Sequence, residues 1–517
     1  MKLVTAAQMQ ALDRRTIDEA GIPSLTLMER AGDGTVAHIE ARWGVPVGRR
    51  VAILCGKGHN GGDGLAIGRL LHRRGAQVTA WLLHDERDLA PDTRTMLIRF
   101  RRVAGARAAK TYTGDADGWR VALQGTELVI DALLGTGLGS PIREPYAAAI
   151  DAINTCGAPV VAVDLPSGLH ADTGAILGTA VRATMTTTYG LPKLGLFLGD
   201  GIDCAGTVEV VDIGIPTSYA EAINSSVTLL TSQQITEMFP PRRLTAHKGT
   251  YGHLGIVAGS CGKTGAAALA ARAALRCGAG LVTVAIPKSL NPIVETLLLE
   301  AMTLPLSDTR DGSLARSSAS ALRQFAKDKT ALAVGPGIGQ HRDTVRLIRE
   351  WLPTVPIPCV VDADALNAVA PAATHLPRAK APRILTPHPG EMARLAGLSH
   401  ARLVNADRLA IATQFAAKHG AIVVLKGART IVADPDGRCA INPTGNPGMA
   451  TGGTGDVLTG TIAALLAQGR SPWDAACAGT YVHGLAGDQA AAAIGSIGLL
   501  ASDVAEHLPH AISSLRA

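Results

Sequence analysis

The stretch GKGHNGGDG (56–64) sets five glycines, a histidine, an asparagine and an aspartate directly after the apolar run RVAILC (50–55). Such a loop can grip a pyrophosphate, hold a metal ion or merely turn a corner. GKGHNG (56–61) fits the G-x-G-x-x-G pattern of dinucleotide-binding turns, but a lone match is weak. Asp63 is expected at the start of the next helix, where it would repel a pyrophosphate, and two helices precede the strand. Two other segments suggest an alternative: DALLGTGL (131–138) and VDLPSG (163–168). The Asn60 amide, Asp131 carboxylate and Ser167 hydroxyl are then oxygen donors on three loops, which suits a hard cation. A single formal charge among them favours a monovalent ion. Each residue could equally cap its own loop.

A second constellation lies near the end of the chain. In GMATGGTGDVLTG (448–460), glycines and small hydroxyls lead into an apolar helix expected to begin near Asp456. Backbone N–H groups at such a helix start, with no Cβ in the way, form an anion hole. Asp456 beside it could accept a proton from a hydroxyl about to receive a phosphoryl group. It could as well be the N-cap of the helix. Lys426 ends the apolar run AIVVLKG, placed to neutralise phosphate charge, and NPTGN (442–446) adds polar groups. By contrast, GSCGKTG (259–265) only imitates a P-loop. The pattern needs a glycine five positions before Gly262, and Val257 stands there.

The elements that must position these residues alternate in type. Helix-like segments at 5–20 and 24–42 come first. Short apolar runs (50–55, 77–83, 127–135, 159–168, 207–214) then alternate with helical patterns such as DGLAIGRLLHRRG (63–75). This alternation predicts mainly parallel α/β sheets, which bind ligands beyond the carboxyl ends of their strands. The pattern relaxes at 220–232 and restarts with HLGIVAGS (253–260), GLVTVAIP (280–287), TALAVGPGIG (330–339), PCVVDADALN (358–367), PRILTPHPGE (382–391) and AIVVLKGARTIVAD (421–434). The halves share no motif. Two distinct α/β domains are expected, at 1–222 and 233–517.

Bulk properties agree. A chain of 517 residues exceeds what one core supports, and 47% hydrophobic with 18% charged residues fits globular domains. The net charge of +6 is small for this length, its basic pairs are scattered, and 3% aromatics give no base-stacking platform, so no nucleic-acid partner is expected. Eight dispersed cysteines suit a reducing compartment. No signal peptide or membrane-spanning stretch is evident, so a cytoplasmic protein is expected. Oligomeric state stays open, a homo-oligomer included.

In the second half, LTPHPGE (385–391), VLKGARTIV (424–432) and NPTGNPGMATGGTGDVLTG (442–460) resemble the ribokinase-like fold and, within it, the ADP-dependent NAD(P)H-hydrate dehydratases. HKGTYGHLGIVAGS (247–260), GPGIG (335–339) and DADALN (362–367) match the same branch in order, over about 240–510. The resemblance implies repair of reduced nicotinamide coenzymes that have added water. The stray hydroxyl is phosphorylated, and phosphate then leaves, pushed by the ring nitrogen's lone pair. It further implies that Asp456 takes the hydroxyl proton and that Ala267, Gly337, His388 and Asp456 face the hydrated coenzyme. Lys426, Gly427, Ala428, Arg429, Thr430 and Gly455 would contact ADP, with Mg2+ accompanying it.

In the first half, GKGHNGGDGL, DALLGTGL, VDLPSGL and TTYGLPKLGL (187–196) resemble the NAD(P)H-hydrate epimerases, over roughly 5–215. The resemblance implies a potassium ion on Asn60, Asp131 and Ser167. It implies hydrated NADH or NADPH on His59, Asn60, Gly61, Gly62 and Asp63, and on Asp164. Gly135, Thr136, Gly137, Leu138, Gly139, Ser140 and Pro141 would form a further wall. His59 departs from the family's usual asparagine, which implies an altered contact. Asp164 and Lys193 are candidates for proton handling during inversion. Together the halves imply one pathway, in which the epimerase (R and S hydrates interconverted) feeds the dehydratase. The alternative is a C-terminal kinase for a sugar or vitamin alcohol, with a non-catalytic N-terminal nucleotide-binding module.

Overall fold

The computed structural model describes residues 1–112, 116–370 and 379–516. The chain forms two compact units, Lys2–Ser225 and Ser226–Ala517, the second also taking in Met1.

The first unit is built on seven parallel strands: β1 (Arg50–Cys55), β2 (Gln77–Leu82), β3 (Ala109–Thr111), β4 (Leu128–Ala132), β5 (Val160–Val163), β6 (Met185–Tyr189) and β7 (Thr207–Val211). Alternate residues of β1 enter two separate cores. Val51, Ile53 and Cys55 join one, while Ala52 and Leu54 join the other, so both sheet faces are covered. The strand order β3-β2-β1-β4-β5-β6-β7 reverses direction between β1 and β4 and opens a crevice beyond their carboxyl ends. The two loops meet there closely. A Cβ on Gly56 would lie 1.9 Å from the Leu133 carbonyl oxygen, so only glycine fits. The next helix is His59–Arg73, and it starts four residues before the expected 63–75. Asp63 therefore lies in its second turn, away from the helix start, and the objection to pyrophosphate at that terminus lapses.

The second unit has a ten-stranded sheet: β8 (Val227–Leu229), β9 (His253–Val257), β10 (Leu281–Pro287), β11 (Met302–Leu306), β12 (Ala331–Val334), β13 (Cys359–Val361), β14 (Arg383–Leu385), β15 (Ile422–Leu425), β16 (Ile431–Ala433) and β17 (Cys439–Ile441). Its order is β11-β10-β9-β12-β13-β14-β15-β16-β17-β8, with β16 antiparallel to both neighbours. The run 421–434 is thus a hairpin rather than one strand. Val227–Leu229, inside the stretch read as a connection, pairs with β17. The direction of winding reverses between β9 and β12. The loops after these strands face the start of the helix Thr454–Ala467, which packs on the helix Thr264–Arg276.

Candidate active sites

In the first unit, Asp131 sits near the end of β4 with no exposed surface. Ser167 donates to it twice, from Oγ at 2.6 Å and from the backbone N–H at 2.8 Å, and the Leu133 N–H adds a third bond at 3.3 Å. Every donor is neutral. No lysine, arginine or histidine pairs with this carboxylate among the described residues, and burial pushes its pKa up to about 6. Asn60, in the first turn of its helix, is buried with an amide nitrogen that has no partner, and it lies against Gly135. A lone buried carboxylate without a counter-ion, beside the Ser167 hydroxyl, fits a single positive charge. It does not resemble a multi-carboxylate divalent site, and no cluster of three or more His, Cys, Asp or Glu suited to a metal occurs among the described residues.

A second group lies beyond β5 and β6. Asp164 adopts a left-handed backbone conformation (φ 66°), uncommon for a residue with a side chain. Its carboxylate contacts the Lys193 ammonium and accepts from the Tyr189 N–H at 3.2 Å. Lys193 is 1% exposed and also donates to Thr188 Oγ1 (3.2 Å) and the Tyr189 carbonyl (3.0 Å). Asp63 joins this group, its pKa raised well above the usual carboxylate range by burial and then by Asp164 and Asp13. His59 stays outside: its side chain is 71% exposed, with Nε2 3.8 Å from Asp92. The loop 135–141 is half-exposed to exposed.

In the second unit, a cleft of about 490 Å³ is lined by Gly262, Lys263, Gly337, Asp364, Glu391 and Asp456, among others. The N-cap of the helix Thr454–Ala467 is Gly453, in a left-handed conformation (φ 94°), and no side chain caps it. Asp456 is the third helical residue, so the capping alternative fails and the first N–H groups stay free for an anion. Burial raises the Asp456 pKa to about 7, helped by the charge of Asp362 and opposed by Lys426. Lys426 bonds Asp362 Oδ1 at 2.7 Å and lies 3.8 Å from Glu391. Burial pulls its pKa down, yet these carboxylates outweigh that, and the net shift is upward. A Cβ on Gly455 would lie 3.4 Å from the Lys426 ammonium. The loop 426–430 is braced by Arg408, which donates to the carbonyls of Leu425, Lys426 and Ala428. Within it, Thr430 Oγ1 donates to the Gly427 carbonyl, and Arg429 contacts the Pro443 carbonyl.

Two expectations change. Ala267 is fully buried, and its methyl would meet a Cβ on Gly259 at 3.4 Å. Helical periodicity turns it inward, so Gly265, Ala266 and Leu269 line the cleft in its place. His388 caps the helix Pro389–Ala396 through Nδ1, which accepts from the Gly390 N–H at 3.0 Å. It borders the site by way of Glu391, and burial lowers its pKa. The polar groups of NPTGN are consumed locally, as Asn446 bonds Gly448 and Asp488.

Comparisons with known proteins converge on both halves. Residues 24–195 match the family model described as YjeF-related protein N-terminus, and residues 254–510 match that described as NAD(P)H-hydrate dehydratase. The bifunctional NAD(P)H-hydrate repair enzyme Nnr of Moorella thermoacetica is 45% identical over 516 residues, covering 100% of this chain and 97% of its own. This chain belongs to the bifunctional NAD(P)H-hydrate repair enzyme family. The Thermofilum pendens member is 39% identical, covering 100% of this chain and 97% of its own, and the Escherichia coli member is 37% identical, covering 95% and 90%. A crystal structure of the ADP/ATP-dependent NAD(P)H-hydrate dehydratase from Bacillus subtilis, co-crystallized with ATP/Mg2+, is 31% identical with a TM-score of 0.48, covering 57% of this chain and 100% of its own. Membership spans both halves, so a lone kinase beside a non-catalytic module is not favoured.

Three residues absent from the sequence reading belong to these sites. Asp362 and Glu391 hold Lys426, and both lie inside motifs already quoted (DADALN, LTPHPGE), whose acidic members were the available signal. Asp13, in the helix Ala6–Asp18, carries no such signal. Nothing in its amphipathic helix marks it.

Proposed function

We propose that the N-terminal domain (1–222) interconverts the R and S hydrates of NADH and NADPH. The C-terminal domain (233–517) dehydrates the S hydrate with ADP, releasing AMP and phosphate, in the cytoplasm. The observation that carries this reading is Asp456. It is a carboxyl with a pKa near 7, in the wall of a cleft, beside an uncapped helix N-terminus and a buried lysine. Such a carboxylate takes the proton of the substrate hydroxyl while the helix terminus stabilises charge on the phosphoryl group in transit. The hydroxyl oxygen bonds to the terminal phosphorus of ADP and AMP departs. Phosphate then leaves the ring carbon as the ring nitrogen's lone pair forms the double bond, and loss of a ring proton restores the coenzyme.

Ala267, Gly337, His388 and Asp456 are assigned to the hydrate. Lys426, Gly427, Ala428, Arg429, Thr430 and Gly455 are assigned to ADP. Asp362 has both carboxylate oxygens engaged, by Lys426 and by Thr459, so Mg2+ would come with the nucleotide and be held chiefly by its phosphates. In the N-terminal domain, potassium is assigned to Asn60, Asp131 and Ser167, supported by the uncompensated charge of Asp131. Its role there is to neutralise that charge and fix the loops that receive the hydrate.

The test supplies purified R and S hydrates separately and follows recovery of reduced-nicotinamide absorbance. Both epimers should recover with ADP and neither without it. Recovery without nucleotide would overturn the phosphorylation step.

A further inference from the structure

Lys193 is poorly placed to move protons. The ammonium has three N–H donors, and Asp164, Thr188 and the Tyr189 carbonyl occupy them. The same Asp164 oxygen accepts from Lys193, Thr188 Oγ1 and the Tyr189 N–H. This pair is a fixed, internally neutral fitting. Two further carboxyls feel its charges.

One is Asp63, on the second turn of the helix His59–Arg73. The other is Asp13, brought there by the first residues of the chain. Val4 bridges Lys193, accepting from the Leu194 N–H and donating to the Pro192 carbonyl, each at 3.0 Å. The helix Ala6–Asp18 therefore starts alongside residues 192–194. Met9 packs on Gly190, where a Cβ would lie 2.9 Å from its methyl. Asp13 follows Met9 by one turn on the same face and is half-buried. Three carboxyls thus share one ammonium, so full ionisation leaves two negative charges uncompensated in a half-buried space. Burial raises the Asp13 pKa to about 6, with Lys193 and His59 opposing and Asp164 adding. For Asp63 the like charges of Asp164 and Asp13 add to burial, and Lys193 again opposes. The remaining titratable neighbour, Tyr189, bonds Thr35 Oγ1 at 3.0 Å and is raised out of the working range by burial.

We propose that Asp63 is the acid–base residue of hydrate epimerisation and that Asp13 is a positioning charge that sets which protonation state Asp63 holds. This rests on reading the N-terminal domain as the epimerase. At neutral pH Asp13 is ionised, Asp164 is bound to Lys193, and Asp63 carries a proton. Asp63 gives that proton to the substrate hydroxyl. The C–O bond breaks with its electron pair leaving as water, and the ring nitrogen's lone pair forms a C=N+ bond. Water then adds to the opposite face and returns a proton to Asp63. No oxidant, reductant or nucleotide is consumed.

The test uses the full-length protein without nucleotide, so the dehydratase is idle. Interconversion of purified hydrates is followed by chromatography across pH, with the spontaneous rate subtracted. Wild-type activity should fall along a basic limb as Asp63 loses its proton. In Asp13→Asn the limb should move about one pH unit lower, because a like charge near Asp63 is gone. Asp13→Glu should restore the limb, and Lys193→Met should move it upward. Asp63→Asn should lose at least a hundredfold in rate. In heavy-oxygen water the inverted product should carry the label. An Asp13→Asn profile lowered everywhere but unshifted would overturn the role of Asp13, since a structural defect does that. If that variant does not fold, an unshifted limb in Lys193→Met overturns the electrostatic coupling and an upward shift supports it. Asp63→Asn within tenfold of wild type, or unlabelled product, would overturn the acid–base step. A wild-type protein that interconverts nothing would instead overturn the epimerase reading itself.

Discussion

The Lys426 ammonium lies 2.7 Å from Asp362 Oδ1, and the other oxygen of that carboxylate accepts from the Thr459 hydroxyl at 2.8 Å. Asp362 thereby holds the lysine at the helix terminus and raises the pKa of Asp456 with its own charge. In the proposed mechanism Asp456 acts as a carboxylate, so dehydration should rise with pH through a limb near 7. In Asp362→Asn the like charge is gone, the Asp456 pKa falls, and the limb should move down by about one unit. Stability should drop by about 1–3 kcal/mol in urea unfolding, because the lysine keeps only the distant Glu391. A limb that stays near 7 would show that the two carboxyls do not communicate.

Asp456→Asn separates catalysis from structure. Dehydration of the S hydrate should fall by about 10²–10⁴-fold, with epimerisation unchanged. Thermal stability should hold or rise, because the substitution removes a buried charge and the cap is Gly453. An N-cap aspartate would instead lose about 1 kcal/mol on such a change. Calorimetry and the two separate assays distinguish these outcomes.

The parallel architecture was legible in most aliphatic strands, though not in the apolar β11 and β17. β1, RVAILC, was read to the residue because all but its first position are buried. β6 was not read as a strand, for MTTTY offers no aliphatic run. It is nonetheless fully buried, because its hydroxyls bond Thr35, Asp164 and the Ala205 carbonyl. Only tertiary structure supplies such partners. The same limit explains the sites. Asp131 and Ser167 lie 36 positions apart but bond directly, and the strand ends announced both. Asp13 is brought to Lys193 by a chain contact spanning most of the domain, which no local pattern encodes. The Ala267 side chain is buried, and its helical neighbours Gly265, Ala266 and Leu269 line the cleft, a distinction of helix face that the motif alone does not carry.

His59 stands where the family resemblance leads to an expected asparagine. Its imidazole is mostly exposed, Asp92 lies 3.8 Å away and also accepts from the Ser24 hydroxyl, and the His59 charge also acts on Asp13. In the proposed epimerase site such an exposed group would touch ligand from the edge of the Asp63 cluster. His59→Asn should change the KM of epimerisation by less than about fivefold and leave kcat nearly unaltered, since exposed contacts contribute at most about 1 kcal/mol. A loss in kcat above tenfold would move His59 into the reacting centre. Steady-state kinetics on the R hydrate decides.

Asp131 makes the potassium assignment measurable without any turnover. A buried carboxylate bonded only by neutral donors gains most from a bound cation, and binding to the folded state alone raises stability with ion concentration. Potassium at ten times its Kd should stabilise the N-terminal domain by about 1.4 kcal/mol. Choline at equal ionic strength should not. The direction with pH follows from the Asp131 pKa of about 6: ionised above it, the carboxylate binds the cation, and protonated below it, the group cannot. The potassium increment should therefore be full at pH 8 and lost as pH falls through about 6. Asp131→Asn should abolish the increment at every pH. Thermal melts in potassium and choline chlorides, run across that range on both proteins, would show it. An increment that survives in Asp131→Asn would place the ion elsewhere.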